Sequence, residues 1–287
     1  MSTERKVTIP DLQAKKEQGQ RITMVTAYDY PNGVLVEKAG IDIILVGDSL
    51  AMVVLGYENT VPVTMDEMIL HCQAVARGAK HPLLVGDMPF MSYEVTIQEA
   101  VRNAGRFLKE GKMDVVKLEG GQDRAEVTRA IVKAGIPVMG HIGLTPQTIS
   151  KLGGFKTQGK SVESAVKLVE DALALEAAGC FSIVLEAIPD RLATLITQKV
   201  KIPTIGIGAG AGTDGQVLVL HDMLGLFDRF TPKFVKKYAN LSEIGVKALQ
   251  QYVEEVEKSI FPGPEHVFTI KDDVYQALLQ EVDKRGL

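Results

Sequence analysis

The sequence repeats one pattern, in which a short apolar segment rich in β-branched residues is followed by a polar loop and a helical pattern. Nearly continuous apolar segments are typical of parallel strands that are covered on both faces. The predicted strands are residues 22–29, 41–48, 82–89, 115–119, 136–141, 181–186, 202–207 and 217–220. Eight strands that alternate with helices predict an α/β protein of the (β/α)8 TIM barrel type.

Local motifs predict where the intervening helices begin and end. Thr64 with Glu67, and Thr96 with Glu99, have the spacing of a capping box at a helix start. Further helices are predicted over residues 162–178 and 188–199. Gly179 would end the first of these two helices, since glycine is the usual residue after a helix C-terminus.

The two ends of the chain lie outside the repeat. Residues 1–20 are expected to form an N-terminal cap, with a helix near residues 10–18 covering the bottom of the barrel. Residues 241–287 are expected to form a helical extension, with helices at 241–259 and 272–285. Because no linker or change in composition marks a second domain, residues 1–287 are predicted to form a single domain.

Composition excludes several classes of protein. The 287 residues carry a formal charge of −4, which argues against nucleic-acid binding because such domains are usually basic. No segment approaches the roughly 20 apolar residues of a membrane-spanning helix. The N-terminus has no secretory signal, so a cytoplasmic location is expected. Cys72 and Cys180 lie in apolar segments and are expected to be buried free thiols.

Most predicted strands end on a polar residue. These residues are Asp29, Asp48, Asp87, Glu119, His141 and Glu186. In a parallel barrel the carboxyl ends of the strands share one face, which carries the active site. Any single acid of this kind is often a loop or helix cap. Several carboxylates gathered at one face would repel one another, and a divalent cation would relieve that repulsion.

The donor types indicate which ion such a site would hold. Carboxylate oxygens without a cysteine cluster or a histidine pair favour Mg²⁺, with Mn²⁺ or Co²⁺ as alternatives. Asp48 and Asp87 are the expected direct ligands. Each follows a glycine, Gly47 or Gly86, which we expect to let a ligand approach the backbone closely.

Lys117 and Glu119 alternate on one predicted strand, so both side chains should point to the same face. A lysine at the barrel mouth would neutralise an anionic substrate or a nearby carboxylate. A Schiff-base role stays open, although neighbouring acids should keep its pKa high.

A glycine-rich segment at residues 206–212 follows the seventh predicted strand. Barrel phosphate sites use the loops after strands seven and eight, so this segment could cradle a phosphate. It lacks the lysine of a nucleotide-binding P-loop and opens no dinucleotide-binding unit. A tight turn that leaves room at the mouth is the alternative.

With these motifs in order, the chain resembles the ketopantoate hydroxymethyltransferase family from about Thr8 to the final helices. The matching segments are TAYD (26–29), LVGDSL (45–50), PVTMDEM (62–68), GDMPF (86–90), VKLEGG (116–121), GHIGLTPQ (140–147), LE (185–186) and IGIGAG (205–210). The resemblance implies a (β/α)8 barrel, a ring-like homodecamer and small-molecule substrates.

The resemblance also implies a reaction and roles for particular residues. The reaction is hydroxymethyl transfer from 5,10-methylenetetrahydrofolate to 3-methyl-2-oxobutanoate, which gives 2-dehydropantoate by way of a Mg²⁺-stabilised enolate in pantothenate biosynthesis. Asp48 and Asp87 match the metal ligands, with Glu119 completing the metal site, and Glu186 matches the general base. The implied substrate-binding residues are Asp48, Ser49, Asp87, Lys117 and His141.

Two rival interpretations remain from the sequence. A Mg²⁺-dependent C–C lyase or mutase of the phosphoenolpyruvate mutase and isocitrate lyase kind would have a similar fold and similar enolate chemistry. The lyases' Lys-Lys-Cys-Gly-His segment is missing, because Gly111-Lys112-Met113 supplies no cysteine. A non-catalytic barrel would be expected to lose one or more acids at the mouth, and every matched acid is present.

Overall fold

A computed structural model describes residues 5–148, 154 and 156–287. Eight parallel strands follow one another around a closed barrel, and the last strand pairs with the first. The strands are β1 (Ile22–Thr26), β2 (Ile43–Val46), β3 (Leu83–Asp87), β4 (Val115–Lys117), β5 (Val138–Gly143), β6 (Ser182–Glu186), β7 (Thr204–Ile207) and β8 (Gly215–Leu218). The predicted TIM barrel is confirmed.

Each predicted strand overlaps an observed one, and the differences lie at the ends. The strand predicted over residues 22–29 stops at Thr26, and β8 begins at Gly215, two residues before the predicted start at residue 217. Apolar composition marks a strand but not its last hydrogen bond, so such boundaries shift by a few residues.

The helices of the barrel unit alternate with the strands. They are α1 (Ile9–Glu17), α2 (Tyr30–Lys38), α3 (Leu50–Val53), α4 (Met65–Gly78), α5 (Ile97–Lys109), α6 (Ala125–Lys133), α7 (Val162–Ala178), α8 (Asp190–Lys199) and α9 (Leu220–Met223). Short 3-10 turns occur at Gln122–Arg124 and Pro146–Thr148. None of the described helices combines the length and the apolar character that a membrane crossing requires.

The predicted helix ends are largely confirmed. Thr64 and Glu67 form the reciprocal capping box of α4. At α5 the Thr96 hydroxyl accepts from the Glu99 N–H, which is the half of the box that the structure shows. Helix α7 ends at Gly179, whose φ of 102° is in the left-handed region that glycine tolerates.

The core has two layers, one inside the barrel and one between the strands and the helices. The predicted N-terminal cap contributes to the inner layer, because Leu12 of α1 is fully buried against the interior side chains. Lys15 and Lys16 of α1 form ion pairs with Asp42 and Asp214, which precede β2 and β8. Helix α1 therefore closes the amino-terminal end of the barrel, as predicted; residues 1–4 of the predicted cap lie outside the described residues.

The chain divides into two compact units, residues 1–239 and 240–287. The second unit contains α10 (Leu241–Glu257), a 3-10 turn (Pro264–His266) and α11 (Asp272–Arg285). Within it the Tyr252 ring packs edge-on against Phe261, with ring centres 5.7 Å apart. The two predicted C-terminal helices are confirmed, and the single-domain assignment stays a prediction.

Candidate active site

A cavity of about 570 Å³ opens at the carboxyl ends of the strands. Every site residue that the sequence predicted lines it: Asp48, Ser49, Asp87, Lys117, Glu119, His141 and Glu186. These side chains come from the ends of five consecutive strands or from the turns that follow them, β2 to β6. The barrel closure therefore brings together residues that are up to 138 positions apart in the sequence.

Asp29 is the exception among the polar strand ends. It lies beyond β1, and its Oδ1 accepts from the Asn32 N–H at 2.7 Å, which caps α2. Its side chain is exposed and is absent from the cavity wall. The expectation that Asp29 joins the other acids at the mouth was wrong, because β1 ends three residues earlier and the chain has already turned into α2.

Strand alternation explains why four of the polar residues point inward. The interior cluster contains Val85, Val115, Met139 and Val184. Side chains two residues apart lie on the same face of a strand. The residues two positions further on therefore also face the interior, at the level of the cavity; they are Asp87, Lys117, His141 and Glu186.

Asp87 and Lys117 form a buried ion pair at this level. Their Cα atoms are register partners of β3 and β4, and Lys117 Nζ lies 2.7 Å from Asp87 Oδ1. Burial raises the pKa of Asp87 to about 6, against the opposite effect of Lys117. Burial also lowers the pKa of Lys117, but the charges of Asp87, Glu119 and Asp48 outweigh it and raise that pKa above its usual value. Lys117 is therefore a permanent cation, which disfavours the Schiff-base alternative.

Asp48 is held next to Asp87 by backbone and side-chain contacts. The Asp48 N–H donates to Asp87 Oδ2 at 3.1 Å, so the turn after β2 is fixed to the end of β3. Gln147 Nε2 donates to Asp48 Oδ2 at 3.0 Å. Burial, reinforced by the charge of Glu119, raises the pKa of Asp48 to about 6.

His141 lies between two carboxylates. Its Nδ1 is 3.4 Å from Glu119 Oε1, and its Nε2 is 3.1 Å from Glu186 Oε2. Burial and the charge of Lys117 lower its pKa, but the interactions with Glu119 and Glu186 outweigh them and raise it to about 9. The two carboxylates therefore favour the protonated imidazole, and its Nε2 faces the Glu186 carboxylate.

Ser49 follows Asp48 and faces the cavity at the start of α3. Its Oγ lies 2.8 Å from the hydroxyl of Tyr28, which is fully buried. Burial raises the pKa of Tyr28 beyond its usual range, so the phenol keeps its proton. Tyr28 can donate that proton to Ser49, which leaves the Ser49 hydroxyl free to donate into the cavity.

The glycines near the site serve packing more than ligand approach. A Cβ on Gly86 would lie 2.3 Å from the Phe107 ring of α5, so this glycine allows helix and strand to pack closely. The expectation that Gly86 makes room for a ligand was wrong, because its missing side chain points away from the barrel interior while Asp87 points into it. At Gly47 the nearest atom is the Ser49 side-chain oxygen, at 3.1 Å.

The glycine-rich segment after β7 is a tight turn packed against its neighbours. A Cβ on Gly210 would lie 2.5 Å from Asp190, and one on Gly212 would lie 1.9 Å from the Thr194 hydroxyl. Gly208 has a φ of 62° and lies against the Phe234 ring. Contacts with α8 and Phe234 account for these glycines, so the tight turn is favoured over the phosphate cradle.

The residues present fit a hard divalent cation. Asp48 and Asp87 are adjacent, buried and carboxylate-bearing, and Glu119 Oε1 is a buried oxygen that accepts no hydrogen bond from the described residues. No three His, Cys, Asp or Glu side chains within the described ranges are already arranged around one point. A two-carboxylate site suits Mg²⁺, which usually takes one or two protein carboxylates and completes its shell with water and substrate.

Sequence reasoning missed several residues of the site. Gln147 is 3% exposed and contacts both Asp48 and the backbone oxygen of Met88. The Tyr93 hydroxyl donates to Gln147 Oε1 at 2.6 Å. The cavity is also lined by Asp222, Phe227, Phe230 and Phe234. No local motif marks these residues, since they reach the cavity from turns and from the segment after β8.

Comparison with known proteins gives a consistent result. The family model described as ketopantoate hydroxymethyltransferase matches residues 6–264. The 3-methyl-2-oxobutanoate hydroxymethyltransferase of Moorella thermoacetica is 60% identical over 268 residues, which are 93% of this chain and 100% of the relative. The enzyme of the same name from Enterococcus faecalis is 56% identical over 273 residues, 95% of this chain and 99% of the relative.

Solved structures support the fold at much lower identity. Phosphoenolpyruvate phosphomutase from Streptomyces platensis subsp. rosaceus superposes with a TM-score of 0.58 at 15% identity, covering 96% of this chain and 98% of the other. Phosphonopyruvate hydrolase, solved in complex with oxalate and Mg²⁺, has a TM-score of 0.59 at 12% identity, with 96% and 98% covered. At this identity the likeness concerns the fold alone.

Proposed function

The chain belongs to the ketopantoate hydroxymethyltransferase family, and from this premise we propose that it transfers a hydroxymethyl group from 5,10-methylenetetrahydrofolate to 3-methyl-2-oxobutanoate, giving 2-dehydropantoate in pantothenate biosynthesis. The observation that carries the proposal is the cavity in which Asp48, Asp87, Lys117 and Glu186 converge. Lys117 offers a positive charge to an anionic keto acid, and the Glu186 carboxylate can act as the base that removes a proton from its carbon.

The keto acid would be held at the Asp48–Lys117 side of the cavity. Lys117 is a buried cation that can balance the charge of the substrate carboxylate, and the Ser49 hydroxyl can donate a hydrogen bond to it. Asp48, Asp87 and, through water, Glu119 would hold Mg²⁺. The bound ion would supply Lewis-acid polarisation of the keto group, which makes the neighbouring C–H more acidic.

Glu186 is the base that the geometry favours for the C3 proton. Its side chain lies at the end of β6, faces the cavity and is 15% exposed. His141 Nε2 lies 3.1 Å from Glu186 Oε2, a distance at which the two groups can orient each other before substrate arrives. The Glu186 carboxylate oxygens can accept a proton from a carbon acid bound in the cavity.

The transfer balances as follows. The C3–H bond of 3-methyl-2-oxobutanoate breaks, its proton goes to Glu186, and the electron pair is left as an enolate. A new bond joins C3 to the one-carbon unit of the folate. Both C–N bonds that hold the one-carbon unit to N5 and N10 of the folate break, and water supplies the hydroxyl oxygen. The proton from C3 and one proton from water end on N5 and N10, and tetrahydrofolate leaves. The chain's contribution is to bind the keto acid, to hold the base and to screen the reacting carbon from bulk water.

The comparisons do not favour a C–C lyase or mutase as the alternative. The relatives that match over more than 90% of the chain at 55–60% identity are hydroxymethyltransferases by name, whereas the phosphomutase likeness is a likeness of fold at 15% identity. The homodecamer and the cytoplasmic location stay predictions.

The first half of the reaction can be tested without folate. The protein is incubated with Mg²⁺ and 3-methyl-2-oxobutanoate in D₂O, and loss of the C3 proton signal is followed by NMR. We expect metal-dependent exchange that Glu186→Gln abolishes and that Glu126→Gln, at an exposed position of α6, leaves unchanged. Absence of exchange, together with no 2-dehydropantoate after 5,10-methylenetetrahydrofolate is added, would refute the proposal.

A further inference from the structure

Part of the cavity wall differs in chemical character from the cluster of carboxylates. It is formed by α9 and by the segment that follows, which contributes Phe227, Phe230 and Phe234 to the wall. The second and third of these rings remain 53% and 37% exposed. Three aromatic rings that face an open cavity form a surface suited to stacking on a flat ring system.

Asp222 is the acidic residue in this aromatic part of the cavity wall. It is 8% exposed and lines the cavity. Among the described residues, none donates a hydrogen bond to its carboxylate or forms an ion pair with it. Its oxygens are not among the enclosed polar atoms that lack a partner, so they are accessible from the cavity to a ligand that brings donors.

Contacts with the barrel anchor the segment that carries Asp222 and Phe234. The Leu220 N–H at the start of α9 donates to Thr26 Oγ1 at 3.0 Å, which ties α9 to the end of β1. The Phe234 ring lies against Gly208, where a Cβ would come within 2.7 Å of the ring. The start of α9 is therefore anchored at the end of β1, and the Phe234 ring is anchored at the end of β7.

We propose that Asp222 and the rings of Phe227, Phe230 and Phe234 form the subsite for the flat, nitrogen-rich ring of the one-carbon donor. This inference rests on the proposed function, because the pterin ring of a reduced folate has the required chemistry. Its 2-amino group and the adjacent ring N–H present two parallel donors, which a carboxylate accepts in a bidentate manner. The phenylalanine rings would cover its faces and exclude water.

The position of the subsite fits the transfer. Asp222 and Glu186 line one continuous cavity, as does Val219 just before α9. The donor ring would enter from the Phe side, and the keto acid would occupy the Asp48–Lys117 side. Lys233, which also lines the mouth, is placed to meet the anionic tail of a folate.

Binding of tetrahydrofolate, measured by calorimetry, tests the role of the carboxylate. We expect Asp222→Asn to weaken tetrahydrofolate binding by about 10- to 100-fold, the range expected for hydrogen bonds to a charged group. The KM for 3-methyl-2-oxobutanoate and the rate of C3 proton exchange should change less than about twofold. Asp228→Asn, at an exposed position outside the cavity wall, is the matched control.

An analogue of tetrahydrofolate that lacks the 2-amino group identifies the partner atoms. The parent protein should bind it about 10- to 100-fold more weakly than tetrahydrofolate, whereas Asp222→Asn should bind the two ligands about equally. Unchanged binding of tetrahydrofolate by Asp222→Asn, or equal discrimination by both proteins, would overturn the assignment. These outcomes leave proton exchange and product formation by the parent protein intact, so they are distinguishable from failure of the proposed function.

The aromatic wall is tested separately. Phe230→Ala should weaken tetrahydrofolate binding about 5- to 20-fold, while Phe268→Ala, at a fully exposed position of the second unit, should have no effect. If Phe230→Ala alters the sedimentation coefficient and leaves tetrahydrofolate binding unchanged, the rings form a contact between copies of the chain and the inference is wrong.

Discussion

The side-chain amide of Gln147 donates to Asp48 Oδ2 at 3.0 Å and thereby joins the turn after β5 to the turn after β2. Gln147 Oε1 accepts a hydrogen bond from the Tyr93 hydroxyl. The Gln147 backbone N–H donates to Glu119 Oε2 at 3.1 Å. Gln147 therefore fixes the relative positions of two carboxylates that would otherwise repel each other.

Replacing Gln147 by Leu should reduce kcat/KM about 10- to 100-fold and weaken Mg²⁺ binding to a similar extent. The physical reason is that Asp48 loses the donor that orients it, a change known to cost this much at metal sites. Steady-state kinetics and calorimetric titration with Mg²⁺ check the prediction. Gln20→Leu, at an exposed position, is the control; equal Mg²⁺ affinity in both variants would contradict the role given to Gln147.

Replacing Lys117 by Met should lower the free energy of unfolding by about 3 kcal/mol at pH 8, because it leaves the buried Asp87 carboxylate without its cation. The double variant Lys117→Met, Asp87→Leu should recover most of this loss. Lys258→Met breaks the exposed ion pair with Glu254 and should cost less than about 1 kcal/mol. Denaturant unfolding measures the free energy of unfolding of the three variants. An equal loss in Lys117→Met and Lys258→Met would contradict the prediction that the buried ion pair contributes more than the exposed one.

Gly143→Ala should displace Glu186 and slow the exchange of the C3 proton. Gly143 has a φ of 99°, and a Cβ there would lie 2.2 Å from the Glu186 backbone oxygen. Gly135, with a φ of 85°, has no atom near such a Cβ, so Gly135→Ala carries the backbone strain alone, about 1 kcal/mol. We expect Gly143→Ala to be the less stable of the two and to lose at least about tenfold in the C3 exchange rate. Matching exchange rates in the two variants would contradict the prediction.

Both thiols should resist modification in the folded protein. Burial raises the pKa of Cys180 to about 12, and it raises the pKa of Cys72 well above its usual value. Few thiolates are therefore present, and neither sulfur is reachable. A disulfide reagent at pH 8 should label neither cysteine until denaturant is added, and then both. Fast labelling of the native protein would contradict the prediction and would show that the structure around one of the two cysteines opens locally.

Asp222 should make stability depend on pH. Burial raises its pKa from 3.8 to about 6, against the effect of Lys237, so ionisation disfavours the folded state. The contribution to stability is present below the unfolded pKa and is lost as pH rises through about 6. Asp222→Asn should be about 1–2 kcal/mol more stable than the parent at pH 8. This difference in the free energy of unfolding should shrink towards pH 4, which denaturant unfolding at several pH values can measure. A difference that does not change with pH would contradict the prediction.

The sequence alone determined the barrel and most of the catalytic face. Eight apolar segments that alternate with helical patterns predicted parallel strands, and the polar residues at the ends of these segments predicted the catalytic face. Lys117 was predicted from its alternation with Glu119, and His141 and Glu186 from their positions at the ends of apolar segments; all three line the cavity. The buried thiols and the helix end at Gly179 follow from equally local rules.

The other features of the site depend on tertiary contacts, which join residues that are distant in the sequence. Asp29 has the same local pattern as Asp48, and only the early end of β1 turns it into a helix cap. Gly86 is required by the Phe107 ring of α5, and no local motif shows that contact. Gln147 and Asp222 reach the cavity from turns whose direction depends on how the barrel closes. Local periodicity specifies which face of a strand a side chain occupies, but not what the closed barrel places opposite it.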